Sequence, residues 1–441
     1  MSLFRPISIS LSPNTEKDDI RLALKLILKP RLWKKGSAEN ISPRLEEEVK
    51  KYLGVKYAVS FNSGRSAFLA ILKCLNLREG DEVLLQAFTC NAAANPILWA
   101  GFKPVYLDCD KKTFNIDVAD LKRKITQRSR VVMVQHTFGL PADLDEILEI
   151  CQKNNLILIE DCAHSLGAEY KGKKVGNFGK AAFLSFSRDK VISSVYGGMA
   201  VTNDDTLAEK IRDFQNGIGY PSYFWIFQQL LHPILMNYFI LPTYSFFRLG
   251  KTALSCFQWF KILSKAVHWK EKRGKKPGYF PKRLPNALSK LALNQFKKLE
   301  KFNNHRKEIA DFYYNELKEL SVFELPPSPN DRKHIFLRFT IRYSKAHQIP
   351  SGESAANEAK VEISEAHRLI KKAWSKNILI GDWYDKVIAP HDTKLEKMQY
   401  VPGSCPKAET LSKTTLNLPT HINISQKEAK IIVNFLKSYG D

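Results

Sequence analysis

Ile157–Leu158–Ile159–Glu160–Asp161–Cys162–Ala163–His164–Ser165, then Ser185–Phe186–Ser187–Arg188–Asp189–Lys190, then Gly197–Gly198–Met199–Ala200–Val201–Thr202, are the lines of sequence on which the fold turns. An apolar run ending in two carboxylates reads as a buried strand that opens into an acidic turn. The two later runs read as strands on either side of a lysine loop. A carboxylate at a strand end, followed by a serine and a lysine five residues apart, is the donor set that pyridoxal 5'-phosphate requires. The carboxylate suits a protonated pyridine nitrogen, the hydroxyl suits phosphate, and the amine suits the aldehyde. Each residue alone has an ordinary alternative: Asp161 as a helix cap, His164 as a hydrogen-bonded core histidine, Lys190 as a solvated lysine.

Outward from this stretch, Val55 to Thr202 alternates short apolar runs with helical segments, the pattern of a mostly parallel sheet. Strands are expected at Tyr57–Phe61, Glu82–Leu85, Lys103–Leu107, Val131–Gln135, Leu156–Ile159, Ala181–Ser187 and Gly198–Thr202, with a helix at Ser66–Leu75. One long helix is expected from Ala287 to Leu317, leading into a second domain with a strand at Ile335–Tyr343 and a closing helix at Ser425–Leu436. Residues 351–360 read as a polar loop between those two. The division that follows is an N-terminal segment at 1–50, a large domain at 51–213, an insertion at 214–277, and a helix with a smaller α+β domain at 278–441.

A chain of 441 residues with 44% apolar side chains can bury a substantial core, which excludes wholesale disorder. Seven scattered cysteines form no CxxC pair, so neither a metal site nor a disulfide framework is expected, and a cytoplasmic setting fits. The first residues lack the charged-then-apolar order of an export signal. The net charge of +23 fits nucleic acid, an anionic membrane surface or phosphorylated substrates. No zinc-finger, KH or RNP pattern gives specific nucleic-acid binding a mechanism.

One segment fits neither domain. From Phe214 to Phe247 there is no charged residue, aromatics are dense, and Pro221, Pro233 and Pro242 break the run into pieces too short to span a bilayer. A basic cluster follows, Lys270, Lys272, Arg273, Lys275 and Lys276, with only Glu271 against it. Two readings stand: an insertion buried in a subunit interface, or an in-plane anchor on the inner, anionic face of a membrane. The basic and apolar stretch Arg21–Lys35 adds weight to the second.

Asn62–Ser63–Gly64–Arg65–Ser66 follows a strand and opens a helix, where free N–H groups and the helix dipole attract a phosphate dianion. With Asp161, Ser185 and Lys190 in order behind it, the chain resembles the DegT/DnrJ/StrS family of pyridoxal phosphate-dependent sugar aminotransferases, of fold type I. The resemblance runs through YLGVKYAVSFNSGRSAFLAILKCL, GDEVLLQAFTCNAAANPILWAGFKPVYLDCD, HTFGLPADLDEI, IEDCAHSLGAEYKGKKVGNFGKAAFLSFSRDK and CPKAETLSKTTLNLPTHINIS. It implies Lys190 and Asp161 as the catalytic pair. It implies His164 against the cofactor ring, Ser185 with Ser63, Gly64 and Arg65 at the phosphate, and His136 just behind the site. Cys90 falls where that family has an aromatic stacked on the ring, so stacking is weaker or comes from another residue. Arg65 replaces a small hydroxyl residue and is expected to pair with the phosphate.

The activity implied is a ping-pong transfer through Lys190, from a donor such as L-glutamate to a nucleotide-linked or lipid-linked keto-deoxysugar, by a homodimer in polysaccharide biosynthesis. The departures at Arg65 and Cys90 and the large insertion keep a second reading open: a cofactor-binding regulator or scaffold without transaminase activity.

Overall fold

The computed structural model describes residues 5–34, 40–344 and 364–439, so the loop expected at 351–360 lies outside the described residues. The apolar runs of the first half form one seven-stranded sheet: β1 (Tyr57–Phe61), β2 (Glu82–Gln86), β3 (Lys103–Leu107), β4 (Ser129–Gln135), β5 (Ile157–Asp161), β6 (Ala181–Ser185) and β7 (Gly198–Thr202). Their order across the sheet is β1-β7-β6-β5-β4-β2-β3. Only β7 runs antiparallel to its neighbours, β1 and β6; the other pairs are parallel. Helices cover both faces, which is why Val131–Val134 is apolar at every position instead of alternating. The register sets Gln135 and Phe183 beside Asp161, so the carboxyl ends of β4, β5 and β6 open together. In parallel sheets that edge is where ligands bind.

Two helices precede the sheet, α1 (Lys17–Ile27) and α2 (Ile41–Leu53). Inside it, α3 (Gly64–Cys74) follows β1 and is buried from Gly64 to Leu72, and α4 (Asn91–Ala100) follows the two-residue strand Thr89–Cys90. After β7 the aromatic segment folds into α5 (Tyr223–Leu235), a π turn at Met236–Ile240, and α6 (Leu249–Trp259). The first of these helices lies on α1, and Trp33 just beyond α1 stacks on Phe227, with ring centroids 6.2 Å apart.

The single helix expected from 287 to 317 is two, α7 (Asn286–Phe296) and α8 (Leu299–Leu317). Neither glycine nor proline breaks them. Rather, α7 packs on α1, α2 and α5 whereas α8 packs on α9 (Gln426–Lys437), and the chain turns between the two sets of partners at Lys297–Lys298. Lys298 anchors the turn with 2.9 Å ion pairs to Asp18 and Asp19 in the first turn of α1. The strand expected from 335 is shorter too. Ile335 and Leu337 donate their N–H groups to the carbonyls of Gly139 and Phe138, at 3.2 and 2.9 Å, and regular pairing begins only at Phe339. A small antiparallel sheet, β8 (Phe323–Glu324), β9 (Phe339–Tyr343) and β10 (Thr415–Leu418), then shares a separate core with α8 and α9.

The N-terminal segment reaches the lysine loop. Asn14 Nδ2 donates to the carbonyls of Lys190 and Val191, at 2.6 and 3.2 Å. Arg306 on α8, fully buried, donates to Asn14 Oδ1 at 3.0 Å and to Val191 O at 2.7 Å. These two side chains clamp the loop from behind. Asn14→Ala removes the buried donor and should cost about 1–3 kcal/mol in a urea titration. Amide exchange at Val191 and Ile192 should also accelerate relative to the central strands; unchanged exchange there would show that the loop does not depend on the clamp.

Candidate active site

At the carboxyl edge of β5 the strand's alternation sends its two carboxylates to opposite faces. Glu160 turns inward, where it accepts from the N–H groups of Gly176, Phe178 and Gly179 at 2.7–2.8 Å and meets His136 Nε2 at 3.2 Å. Burial pushes its proton affinity up, but His136 and these N–H donors outweigh that and hold it below the usual range. Nδ1 of the same imidazole accepts from Ala142 N–H at 3.2 Å, so the ring proton sits on Nε2. This is a structural joint behind the site, and His136 does not line the cavity.

Asp161 points the other way, into a cavity of about 380 Å³ that Gly64, Arg65, Cys90, His164, Ser185 and Lys190 also line. One of its oxygens accepts from Ala163 N–H at 2.9 Å. Burial pushes the carboxyl up to about 6, against the pull of that N–H and of the Lys190 ammonium. The opposite happens to Lys190: burial lowers the ammonium to about 8, with the Asp161 carboxylate as the main opposing influence.

At the other side of the cavity the turn into α3 presses on the sheet. A Cβ on Gly64 would lie 3.0 Å from Ser185 Cβ and 3.4 Å from Ser185 Oγ, and one on Gly198 would lie 2.3 Å from the Gly64 nitrogen. Only hydrogen fits at Gly198, and at Gly64 a methyl would press on Ser185; the close fit sets the Ser185 hydroxyl against the first N–H groups of α3, which have no acceptor within the helix. Ser63 does not line the cavity; its hydroxyl caps α3 by accepting from Ser66 N–H at 3.0 Å.

Arg65, expected at the phosphate, lines the cavity but already has partners of its own. Its guanidinium, 8% exposed, is engaged by the fully buried Glu271 carboxylate, donates to Ala266 O at 3.2 Å, and lies 4.8 Å over the Phe280 ring. Burial works against its charge, yet Glu271 more than restores it and raises the guanidinium further. Glu271 follows the aromatic segment and also accepts from His268 N–H at 2.8 Å. The stretch 266–271 therefore supplies a wall of the cavity, through Ala266 and Val267, and the counter-charge of the turn, through Glu271.

Cys90 caps α4 and offers no aromatic surface, and burial pushes its thiol up. The aromatic surface comes instead from Trp383 and Tyr384, brought in because Ile388–Ala389 pairs in parallel with Thr89–Cys90. Trp383 faces the His164 ring at 5.6 Å and 14°, and Lys190 Nζ lies 5.1 Å over the indole. His164 Nδ1 accepts from Phe138 N–H at 3.3 Å. Burial and the nearby cations Lys190 and Arg338 keep the imidazole neutral, well below its ordinary range. Reading the sequence did not single out Trp383, Tyr384 or Glu271 as site residues. The sole signal was the run Gly381–Asp382–Trp383–Tyr384–Asp385, aromatics set among carboxylates with no periodicity to place them.

Among the described residues, two buried polar atoms on the cavity wall, Arg188 Nε and Asp189 Oδ1, have no hydrogen-bond partner. A carboxylate, an amine, a hydroxyl beside a helix N-terminus, and unsatisfied polar groups around an otherwise apolar cavity fit a flat, phosphorylated heteroaromatic ring.

The sequence profile described as "DegT/DnrJ/EryC1/StrS aminotransferase family" matches residues 14–224 and 256–437. GDP-perosamine synthase of Caulobacter vibrioides is 42% identical over 167 residues, which span 38% of this chain and 45% of that one. UDP-N-acetyl-3-dehydro-alpha-D-glucosamine 3-aminotransferase of Acidithiobacillus ferrooxidans is 26% identical over 394 residues, 89% of this chain and 87% of that one. Among solved structures, Helicobacter pylori PseC, an aminotransferase involved in the biosynthesis of pseudoaminic acid, superposes with a TM-score of 0.73. It is 22% identical, and the match covers 98% of this chain and 99% of that one, a likeness of fold.

Two outcomes test this geometry. In protein stripped of bound small molecules, acetylation of Lys190 followed by mass spectrometry should rise with pH through a midpoint near 8 and level off above it, as the amine loses its proton. Surface lysines should keep rising past pH ~10, and a Lys190 profile like theirs would refute its burial beside Asp161. Glu271→Gln should destabilise the chain by about 3–5 kcal/mol in denaturant, because it strands a buried guanidinium.

Proposed function

The chain belongs to the DegT/DnrJ/EryC1/StrS aminotransferase family and has the mixed, mostly parallel sheet of fold type I; on that premise we propose that it moves an amino group from a donor such as L-glutamate to a keto sugar carried on a nucleotide, with pyridoxal 5'-phosphate as cofactor. The observation that carries this reading is the meeting of Asp161, Lys190, Ser185 and Gly64 on one cavity from three separate parts of the chain.

When bound, the cofactor's conjugated ring supplies a sink for the electron pair left as a proton departs from the donor's α-carbon. The chain's residues divide the remaining work. Ser185 Oγ and the first N–H groups of α3 would hold the phosphate, and Asp161 would hold a proton on the ring nitrogen. The neutral His164 would present a flat face without adding charge. Lys190 would hold the cofactor and, once released, carry the proton at Nζ away from the α-carbon and back. A proton carrier works best with an affinity near the working pH, and burial has brought this amine down to about 8. Arg188, a buried cation with an unsatisfied Nε, suits an anionic part of the incoming sugar nucleotide. Donor and acceptor would use the one cavity in turn, which is the requirement of a ping-pong cycle. The proposal includes a homodimer acting in the cytoplasm.

Purified protein mixed with pyridoxal phosphate should give a yellow absorbance band that collapses when L-glutamate is added. Lys190→Ala should bleach that response and lower turnover by at least ~10⁴-fold. A band that forms but ignores every amino donor would favour the regulator or scaffold reading, and turnover by Lys190→Ala close to that of the wild type would end the assignment.

A further inference from the structure

The outer side of the insertion has no part in the cavity. There α6 buries a single residue, Gly250, and the small core beneath it consists of Met236, Ile240 and Leu263. Large apolar side chains around that core face outward: Phe247 is 90% exposed, Trp259 75%, Phe260 63% and Tyr238 63%. None of them is needed to fill the core. Water contact of this extent over one short segment marks a surface that meets something else.

Charge identifies the partner. Between residues 214 and 276 the sole acid is Glu271, and it is fully buried against Arg65. The exposed cations Arg248, Lys251, Lys261 and Lys265 form no ion pair among the described residues. A two-fold contact with a second copy would lay this face against itself, cation on cation, with no acid to balance it. An anionic bilayer balances all of them at once, and Trp, Tyr and Phe are the side chains that favour its headgroup zone. No helix among the described residues is long and apolar enough to cross a membrane, so the contact lies in the plane of the surface.

We propose that residues 236–263 seat the protein on an anionic lipid surface, with the aromatics in the headgroup zone and the lysines and arginine on the lipid phosphates. The segment that continues from this face into the cavity wall, through Ala266, Val267 and Glu271, holds the pocket next to that surface.

The test is flotation of the full chain, loaded with pyridoxal phosphate, on vesicles of phosphatidylcholine with or without 30% phosphatidylglycerol. Binding to the anionic vesicles in 0.1 M salt and its loss in 0.5 M salt are expected, with none on phosphatidylcholine alone. Two variants touch only exposed positions: Phe247→Ser with Trp259→Ser and Phe260→Ser, and Lys251→Glu with Lys261→Glu. Each should lower the partition coefficient by at least about tenfold, with the absorbance band and the turnover of soluble substrate unchanged. Failure to float on anionic vesicles, or equal flotation of wild type and both variants, would overturn the proposal. Retention on duplex DNA without flotation would overturn it as well. So would conversion of a dimer into monomers by the aromatic variant in sedimentation, since the face would then be a contact between copies.

Discussion

A buried carboxylate and a partly buried amine that share one cavity at the same end of one sheet are the constraint around which this molecule is arranged. Asp161 and Lys190 each lose hydration, and each moves toward the other's proton affinity, to about 6 and about 8. Neither shift is favourable to folding, since it reflects a charge that water would hold better. The surroundings explain how the pair persists. Asp161 ends a strand that is bonded on both sides, and the Lys190 loop is gripped from behind by Asn14 and the buried Arg306. Strain of this sort belongs to sites that handle protons near neutral pH.

The same economy of position is seen at the turn into α3. A methyl group at Gly198 would collide with the backbone of the turn, and one at Gly64 would crowd Ser185. That contact sets hydroxyl and helix N-terminus side by side. Arg65 sits in this turn without disrupting its charge, because Glu271 is paired with it. The chain beyond the aromatic segment thus reaches inward to neutralise the turn, while the segment itself leaves Phe247, Trp259 and Phe260 exposed.

Much of the sheet was legible because a strand buried on both faces leaves an apolar run of the right length between turn residues. Tyr57–Phe61, Lys103–Leu107 and Gly198–Thr202 end where they were expected to. Local pattern failed where a segment's partner changed midway. The helix at 287–317 divides because its halves pack on different neighbours, and the strand at 335–343 begins late because its first residues bond to the Phe138–Gly139 loop. Of the cavity lining, Asp161, Ser185 and Lys190 stand in order along the sequence, whereas the Ser63 hydroxyl accepts from Ser66 N–H and the Arg65 guanidinium is taken up by Glu271, 206 positions away.

The sequence by itself determined the chemistry available: an acid at a strand end, a serine and a lysine five residues on, and a glycine turn ahead of a helix. These are short-range facts, set by backbone alternation, by turn geometry and by residue type. Only the tertiary structure decided what surrounds them. Trp383 and Tyr384 enter the cavity through a two-residue strand pair about three hundred residues from Cys90, and Glu271 meets Arg65 across 206 positions. Such contacts depend on which surfaces the whole chain buries together, and proton affinity depends on that burial in turn. No local pattern encodes either.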